Sequence, residues 1–240
     1  MFKIYLIRKI INFIDSFQQK KIFNILKRKL KPKAILFDVG AHHGETIINF
    51  QKNFDYEQIH SFEVSKENFN VLSKNYKDFE DKKIIINNFG LSNKSNELQF
   101  NQFIESSSST ISKINVKSLY FKRKIKILGS LKNNRDYYKT YKVKLDSLDN
   151  YMEKKNVDKI DLLKIDTEGH EYFVLKGGLR NLPKINYIYF EHHYDDMLDK
   201  GYTLSNIHDF LTSNNFKKIF KSKMYFRKTF EYIYENSRFN

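Results

Sequence analysis

The sequence contains no cysteine among its 240 residues. Disulfides, zinc ribbons, iron–sulfur ligation and thiol nucleophiles are therefore excluded, and a reducing, cytoplasmic compartment is the expectation. No run of eighteen apolar residues occurs, so we expect no membrane-spanning helix. The first alanine is Ala34 and the first glycine is Gly40, so we also expect no secretory signal with a small-residue cleavage site.

Negative charge is scarce as well, because 28 Asp and Glu stand against 43 Lys and Arg, which gives a formal net charge of +15. Segment 1–33 holds ten basic residues and one acid, and segment 113–144 holds eleven and one. The rest of the chain is slightly acidic. Two basic segments of this kind favour anionic partners, such as phosphate groups or an anionic membrane surface.

Apolar and basic residues recur with helical spacing through residues 2–30. The apolar positions that define this helix are Ile7, Ile10, Ile11, Ile14 and Phe17. A basic amphipathic helix can lie on an anionic membrane surface at the inner membrane face, or it can pack across the sheet of the next domain, and we favour packing. The chain then divides into an N-terminal helix at 1–33 and one domain at 34–240, with a basic insert at 113–144.

From residue 34 onward, strand and helix patterns alternate. Apolar runs predict strands at 34–39, 59–64, 83–89, 160–166 and 187–191, an edge strand at 98–103 and closing strands at 216–220 and 230–234. Helical patterns lie at 45–53, 66–76 and 203–214. Because several runs are apolar on both faces, the sequence predicts a doubly wound α/β sheet.

The first motif follows the strand at 34–39 and reads Asp38-Val-Gly40-Ala-His-His-Gly44. Gly40 permits a tight turn, and Gly44 lets the backbone approach a ligand closely. The following helix start adds unpaired N–H groups and a positive dipole end. The dinucleotide pattern Gly-x-Gly-x-x-Gly is absent, which disfavours a pyrophosphate cradle. Glu63 ends the next strand, where an acid can accept both hydroxyls of a ribose. Together these features predict a cofactor that contains a nucleoside.

The second group of candidates follows the later strands. Asp166, Glu168, His170 and Glu171 lie within six residues after an apolar run, although a helix cap would need only one acid. Glu191 and His192 end the next strand, and His192 is a candidate general base beside that acid. Asp166, Glu191 and His192 could instead gather a hard divalent ion, but our leading interpretation contains no metal.

In this order, the motifs around Asp38–Gly44, Glu63, 164–171 and Glu191–His192 resemble the FkbM family of S-adenosylmethionine-dependent methyltransferases. The resemblance runs from about residue 34 to residue 193. It implies a class I methyltransferase fold, which is a Rossmann-like sheet of seven strands with a reversed final strand, and S-adenosylmethionine as the cofactor. The family usually has Asn where His42 stands.

The resemblance also implies a role for each matching residue. It places Asp38, Gly40, His42 and Gly44 around the methionine moiety, Glu63 on the ribose, and Leu91 and Ser92 beside the adenine. It places Asp166 at the junction of cofactor and substrate, with Glu168, His170 and Glu191 near the acceptor. Apart from the resemblance, the residue types themselves make His170 or His192, steadied by Glu168 or Glu191, our candidates for the general base. A Ser-rich loop at 106–109 would contact a sugar or the cofactor, or else serve as a linker.

The expected activity is O-methylation of a sugar, a glycan or glycolipid, or another natural product. The basic insert would act as a lid, since its aromatic residues suit sugar faces and its Lys and Arg suit phosphate. The first alternative is an RNA-binding protein or an RNA methyltransferase that uses both basic segments, although no RRM, KH or helix-turn-helix pattern is present. The second alternative is a non-catalytic scaffold on a membrane surface.

Overall fold

The computed structural model describes residues 19–76, 83–129, 137–224 and 228–239. In chain order the strands are β1 (Ala34–Val39), β2 (Tyr56–Phe62), β3 (Ile84–Asn87), β4 (Gly90–Ser92), β5 (Asn96–Phe103), β6 (Lys113–Ile114), β7 (Tyr138–Ser147), β8 (Ile160–Ile165), β9 (Ile185–His193), β10 (Leu198–Asp199), β11 (Phe216–Lys223) and β12 (Thr229–Asn236). The helices are α1 (19–29), α2 (Glu45–Asn53), α3 (Lys66–Tyr76), α4 (Leu119–Gly129), α5 (Leu148–Lys155), α6 (Glu171–Lys176) and α7 (Leu204–Ser213).

Seven strands form the central sheet, in the order β3-β2-β1-β8-β9-β12-β11. Among these described strands, only β12 runs against its two neighbours. The predicted α/β sheet with a reversed final strand is therefore confirmed. The strand order changes direction between β1 and β8, and this is the point at which a crevice opens at the carboxyl ends of the strands.

Alternating side chains along each strand feed two separate cores, because the sheet is buried on both faces. In β1, Leu36 belongs to a core that includes Ile22 of α1 and residues of α2 and α3, which cover one face. Phe37 belongs to the other core, which includes Leu148 of α5 and residues of α6 and α7. We call the Leu36 side face A and the Phe37 side face B.

The described part of the N-terminal helix packs on face A. Ile22, Phe23 and Leu26 are buried there, and Lys29 forms an ion pair with Glu235 of β12 at 2.7 Å. Packing is therefore the correct interpretation for residues 19–29. The apolar positions between Ile7 and Phe17 lie outside the described residues. Among the described helices, none is long and apolar enough to cross a membrane.

The basic insert contributes regular structure above the carboxyl edge of the sheet. Its first residues form β6, which pairs with β10, and its last residues belong to β7, which lies between β4 and β5 in a small sheet. Helix α4 begins after Ser118, whose hydroxyl accepts a hydrogen bond from the Phe121 amide at 2.9 Å. Phe121 packs against Phe103 of β5, so α4 is held on the body of the protein.

Candidate active site

The loop between β1 and α2 is closed tightly against its neighbours. The amides of Gly40 and Ala41 both donate to the carbonyl of Phe62 at 2.9 Å. Gly40 has φ of 92°, and a Cβ at this position would overlap the backbone carbonyl of Asp166. Gly44 has φ of 98°. The first glycine therefore lets the β1 loop lie directly against the loop that follows β8.

Glu63 is fixed beside this loop by backbone groups. Its carboxylate accepts hydrogen bonds from the amides of His42 at 2.8 Å and Ser65 at 2.7 Å. Burial raises the pKa of Glu63 to about 7 in spite of these two bonds. Near neutral pH this carboxyl group therefore exchanges between its neutral and its charged form.

A buried cation joins β1 to β8. The ammonium of Lys164 lies 3.2 Å from Oδ1 of Asp38 and 3.5 Å from Oδ2 of Asp166. Burial would lower the pKa of Lys164, but these two carboxylates hold it above its ordinary value. Oδ2 of Asp38 is buried and has no hydrogen-bond partner among the described residues. Lys164 was not among the predicted site residues, although a lysine inside an apolar strand already calls for an acidic partner.

Two residues that we expected in different halves of the site contact each other. The hydroxyl of Ser92, in β4, lies 2.9 Å from Nε2 of His170. The His170 ring also stacks on Phe173 at 4.8 Å, and burial lowers its pKa to about 4. His170 is therefore neutral at pH 7 and points towards β4. Leu91, beside Ser92, is buried in the face B core.

The carboxyl ends of β8 and β9 carry a dense group of charged side chains on face A. Because side chains alternate along a strand, Glu191 and His193 share this face, whereas His192 lies on face B. Nε2 of His193 lies 3.3 Å from the Glu168 carboxylate, and Nδ1 lies 3.7 Å from Asp195. Burial would lower the pKa of His193, but the surrounding carboxylates raise it to about 10. His193 is therefore a cation at neutral pH.

Acids outnumber cations in this group. We call it the acidic cluster, and its members are Asp38, Asp166, Glu168, Glu191 and Glu231, with Lys164 and His193 as the cations. Burial, together with repulsion from Asp166 and Glu231, raises the pKa of Glu191 well above its ordinary value. Glu231 accepts a hydrogen bond from the Tyr189 hydroxyl at 2.5 Å. Burial and the neighbouring carboxylates thus both disfavour the charged form of Glu191.

Glu171 holds the loop on which Glu168 lies. Its carboxylate accepts hydrogen bonds from the Gly169 amide at 2.9 Å and the Thr167 hydroxyl at 3.0 Å, and from the Tyr202 hydroxyl. The loop is also held from outside, because the hydroxyls of Thr110 and Ser112 donate to the carbonyls of Glu168 and Gly169. Glu168 itself has φ of 51°. Glu171 is therefore a structural acid that stabilises the loop after β8.

His192 lies in an aromatic environment on face B. Its ring is 5.0 Å from that of Tyr194 and 6.0 Å from that of Tyr202. Burial lowers its pKa to about 4, and its Nδ1 has no partner among the described residues. The structure does not bring His192 together with Asp166 and Glu191, so these three residues form no metal site. His193 was not predicted, although the two-residue period from Glu191 could have identified it.

The Ser-rich loop contacts the loop between β1 and α2. The hydroxyl of Ser106 lies 2.7 Å from Nε2 of His42, whose amide donates to Glu63. Nδ1 of His42 lies 3.2 Å from the Glu45 carboxylate. His42 has φ of 49°, so its backbone is also held in the left-handed region. This residue therefore joins the Ser-rich loop, the β1 loop and the first turn of α2.

The strand order and the glycine loop at the end of β1 define a class I methyltransferase. Residues 38–218 match the family model described as the methyltransferase FkbM domain, and the chain belongs to this family. A comparison with curated proteins found no match.

Several solved structures share the fold. The FkbM methyltransferase of Methylobacillus flagellatus KT superposes with a TM-score of 0.52 and 15% identity, over 85% of this chain. The TrmK protein of M. capricolum, solved with S-adenosyl-homocysteine, gives 0.52 and 11%, over 90% of this chain and 67% of its own. An rRNA methylase from Streptococcus thermophilus gives 0.52 and 10%, over 90% and 94%. This chain spans 44% of the length of the Methylobacillus protein. At these identities the likeness establishes the fold.

Proposed function

We propose that this protein transfers a methyl group from S-adenosylmethionine to a hydroxyl group of a sugar, a glycan or glycolipid, or another natural product. The observation that carries the proposal is the acidic cluster at the ends of β8 and β9. Carboxylates accept hydrogen bonds from hydroxyl groups and repel phosphate groups. Asp166 has the most exposed side chain among the paired acids of the cluster, at 28%, against 14% for Glu168.

The residues at the ends of β1, β2 and β4 fit S-adenosylmethionine. This cofactor supplies an electrophilic methyl group on a positively charged sulfur. The buried, unpartnered Oδ2 of Asp38 suits the ammonium of the methionine moiety, which Gly40, His42 and Gly44 would surround. Glu63 would accept the ribose hydroxyls. Leu91 and Ser92 would lie beside the adenine.

In this proposal, Asp166 would receive the proton of the acceptor hydroxyl, and the bound cofactor would supply the methyl group that replaces this proton. His193 holds Glu168, which then orients a second hydroxyl. Positioning of this kind can lower a barrier by roughly 7–11 kcal/mol. A general base contributes about 10²–10⁴-fold. His192 lies on the other face, so its replacement by alanine should leave turnover with bound cofactor intact.

The second candidate is methylation of RNA. Its support is the exposed basic surface of α4, where Lys122, Arg123 and Lys126 lie away from the core. Two of the structural neighbours are named as TrmK and as an rRNA methylase. The acidic cluster argues against this candidate, since a nucleotide that reached Asp166 would bring its phosphates close to several carboxylates.

The test is transfer of labelled methyl from S-adenosylmethionine to methyl glycosides of hexoses and deoxyhexoses and, separately, to bulk RNA. We expect transfer to glycosides that is lost in Asp166→Asn and kept in Asp209→Asn, a matched change on the exposed side of α7. Transfer to RNA alone, with an affinity that falls steeply with salt, would refute the proposal.

We also propose that the protein works in the cytoplasm and touches an anionic membrane through the basic insert. Val116 and Leu119, just before and at the start of α4, are 51% and 67% exposed. Apolar side chains among Lys and Arg are typical of peripheral membrane contact. Flotation with vesicles that contain anionic lipid, compared with neutral vesicles, tests this contact.

A further inference from the structure

We propose that His42, His43 and Glu45 form a binding site for a transition-metal ion on the loop between β1 and α2. Each of the three residues offers one ligand atom, and these atoms all lie within 4.8 Å of one another. The proposal rests on this cluster alone and does not require the proposed methyl transfer.

The spacing between His42 and Glu45 already suits a shared ion. Nδ1 of His42 lies 3.2 Å and 3.4 Å from the two carboxylate oxygens of Glu45. Two ligands on one tetrahedral zinc ion are about 3.4 Å apart, since each bond is about 2.0–2.2 Å long. The imidazole of His43 stacks on that of His42, with ring centres 3.7 Å apart, and one of its nitrogens lies within 4.8 Å of the other two ligand atoms.

The contact of His42 Nε2 with Ser106 makes His42 a suitable metal ligand through Nδ1. Nε2 lies 2.7 Å from the hydroxyl of Ser106. When Nε2–H donates to this hydroxyl, Nδ1 carries the lone pair that faces the carboxylate of Glu45. Two acceptors at this distance need a proton or a cation between them. Ser106 would then act as the outer partner that fixes the orientation of a metal-binding histidine.

Charge and access agree with this assignment. Glu45 supplies the carboxylate ligand, and both of its oxygens lie within 3.4 Å of Nδ1 of His42. The side chains of His42 and Glu45 are 25% and 63% exposed, which leaves room for water ligands. Two imidazoles and one carboxylate suit Zn²⁺, Co²⁺ or Ni²⁺ better than Mg²⁺ or Ca²⁺, which prefer oxygen ligands. The positive end of α2 opposes a cation, so we expect micromolar rather than tighter affinity.

An ion at this site would also restrict the loop between β1 and α2. The amide of His42 donates to Glu63, so an ion that fixes His42 also fixes the loop between Gly40 and Gly44. Coupling between two sites is reciprocal, so metal and cofactor would change each other's affinity by the same factor.

The test is calorimetric titration of the untagged, metal-free full chain with Zn²⁺, followed by Co²⁺ with its visible absorption as an independent readout. We compare wild type with His42→Asn, His43→Asn and Glu45→Gln. His208→Asn is the control, because His208 is half-buried on α7 and bonds to Tyr234.

We expect one Zn²⁺ per chain in wild type and in the control, and at least tenfold weaker binding in each of the three variants. Zn²⁺ should also raise the melting temperature of wild type but not of Glu45→Gln. His43 and Glu45 lie at the surface of the loop, so their variants remain informative even if His42→Asn fails to fold. Absence of binding to wild type, or equal binding to wild type and the three variants, would overturn the proposal.

Discussion

Two parts of the proposed site differ in the groups that hold them in place. We call the part at the ends of β1 and β2, where we propose that the cofactor binds, the cofactor half, and the part at the ends of β8 and β9 the acceptor half. In the cofactor half, backbone amides fix Glu63 and glycines shape the loop. In the acceptor half, buried charged side chains hold one another, as Glu168 and Asp195 do with His193. A half that is held by the backbone can be recognised from a short motif. A half that is held by side chains is harder to recognise from the sequence, because its contacts depend on the face of the sheet to which each residue points.

Replacement of the positively charged His193 should have the largest effect on the free energy of unfolding. His193→Gln removes the cation that pairs with the carboxylates of Glu168 and Asp195, and loss of one partner from a buried charged pair costs about 3–5 kcal/mol in the free energy of unfolding. His192→Gln removes a neutral ring and should cost less than about 2 kcal/mol. Urea denaturation at pH 7 compares the two variants.

The contribution of His193 to stability should also depend on pH, and its pKa gives the direction of the change. The folded-state pKa of His193 is raised to about 10, from an ordinary value of about 6.5. Its stabilising contribution is therefore fully present below pH 6.5 and is lost as the pH rises through about 10. The difference in the free energy of unfolding between wild type and His193→Gln should therefore become smaller as the pH rises over this range. Equal effects of the two histidine variants at every pH would contradict the assignment of the cation to His193.

The next effect concerns the contact between the two halves. In Gly40→Ala, the new Cβ would overlap the Asp166 carbonyl, and alanine would have to adopt a left-handed φ. The substitution should therefore lower the free energy of unfolding by about 2–5 kcal/mol. Gly201 has φ of 69°, but a Cβ there would meet open space among the described residues, so Gly201→Ala should cost about 1–2 kcal/mol. Thermal melting of both variants measures the difference. Similar losses would show that the close approach of the two loops contributes nothing.

A smaller effect concerns Glu63 in the cofactor half, whose ionisation should make the affinity for S-adenosylmethionine depend on pH. The pKa of Glu63 is about 7, and the charged carboxylate is the form that accepts two ribose hydroxyls. The affinity for S-adenosylmethionine should therefore rise about tenfold from pH 6 to pH 8. Calorimetric titration at several pH values measures the affinity. Glu63→Gln should bind weakly at each pH, and an unchanged pH profile in this variant would exclude Glu63 as its source.

The smallest effect concerns the bond between the Ser-rich loop and His42. Ser106→Ala removes a single hydrogen bond, which is worth about 0.5–1.5 kcal/mol. The dissociation constant for S-adenosylmethionine should rise about two- to tenfold if this bond helps to hold the loop. Ser107→Ala changes an exposed neighbour and serves as the control. A Ser106 variant with the affinity of wild type would mean that the two loops act independently.

The sequence was sufficient to predict the strands of the central sheet and the glycine loop that follows β1. Apolar runs mark β1, β8 and β9, and the glycine loop follows β1 directly. At the end of β9, His192 and His193 take opposite faces of the strand, and the side of the sheet on which Glu191 lies is set by tertiary packing. The contact between Ser92 and His170 joins residues far apart in the chain, so no local pattern contains it.

The basic insert was harder to predict for a physical reason. Among the α4 side chains that the structure describes, residues 119–126, Phe121 is buried whereas Leu119 is 67% exposed, so packing against the core defines only part of this helix. The pairing of β6 with β10 joins two-residue strands more than eighty positions apart. Propensity and periodicity carry no information about such a contact.

The most direct test of the division into two halves is calorimetric titration with S-adenosylmethionine of three proteins: wild type, Glu63→Ala and Glu191→Gln. Circular dichroism first establishes that all three are folded. We predict that Glu63→Ala binds at least tenfold more weakly than wild type and that Glu191→Gln binds within about twofold of it. Equal losses in both variants, or a loss confined to Glu191→Gln, would contradict the division.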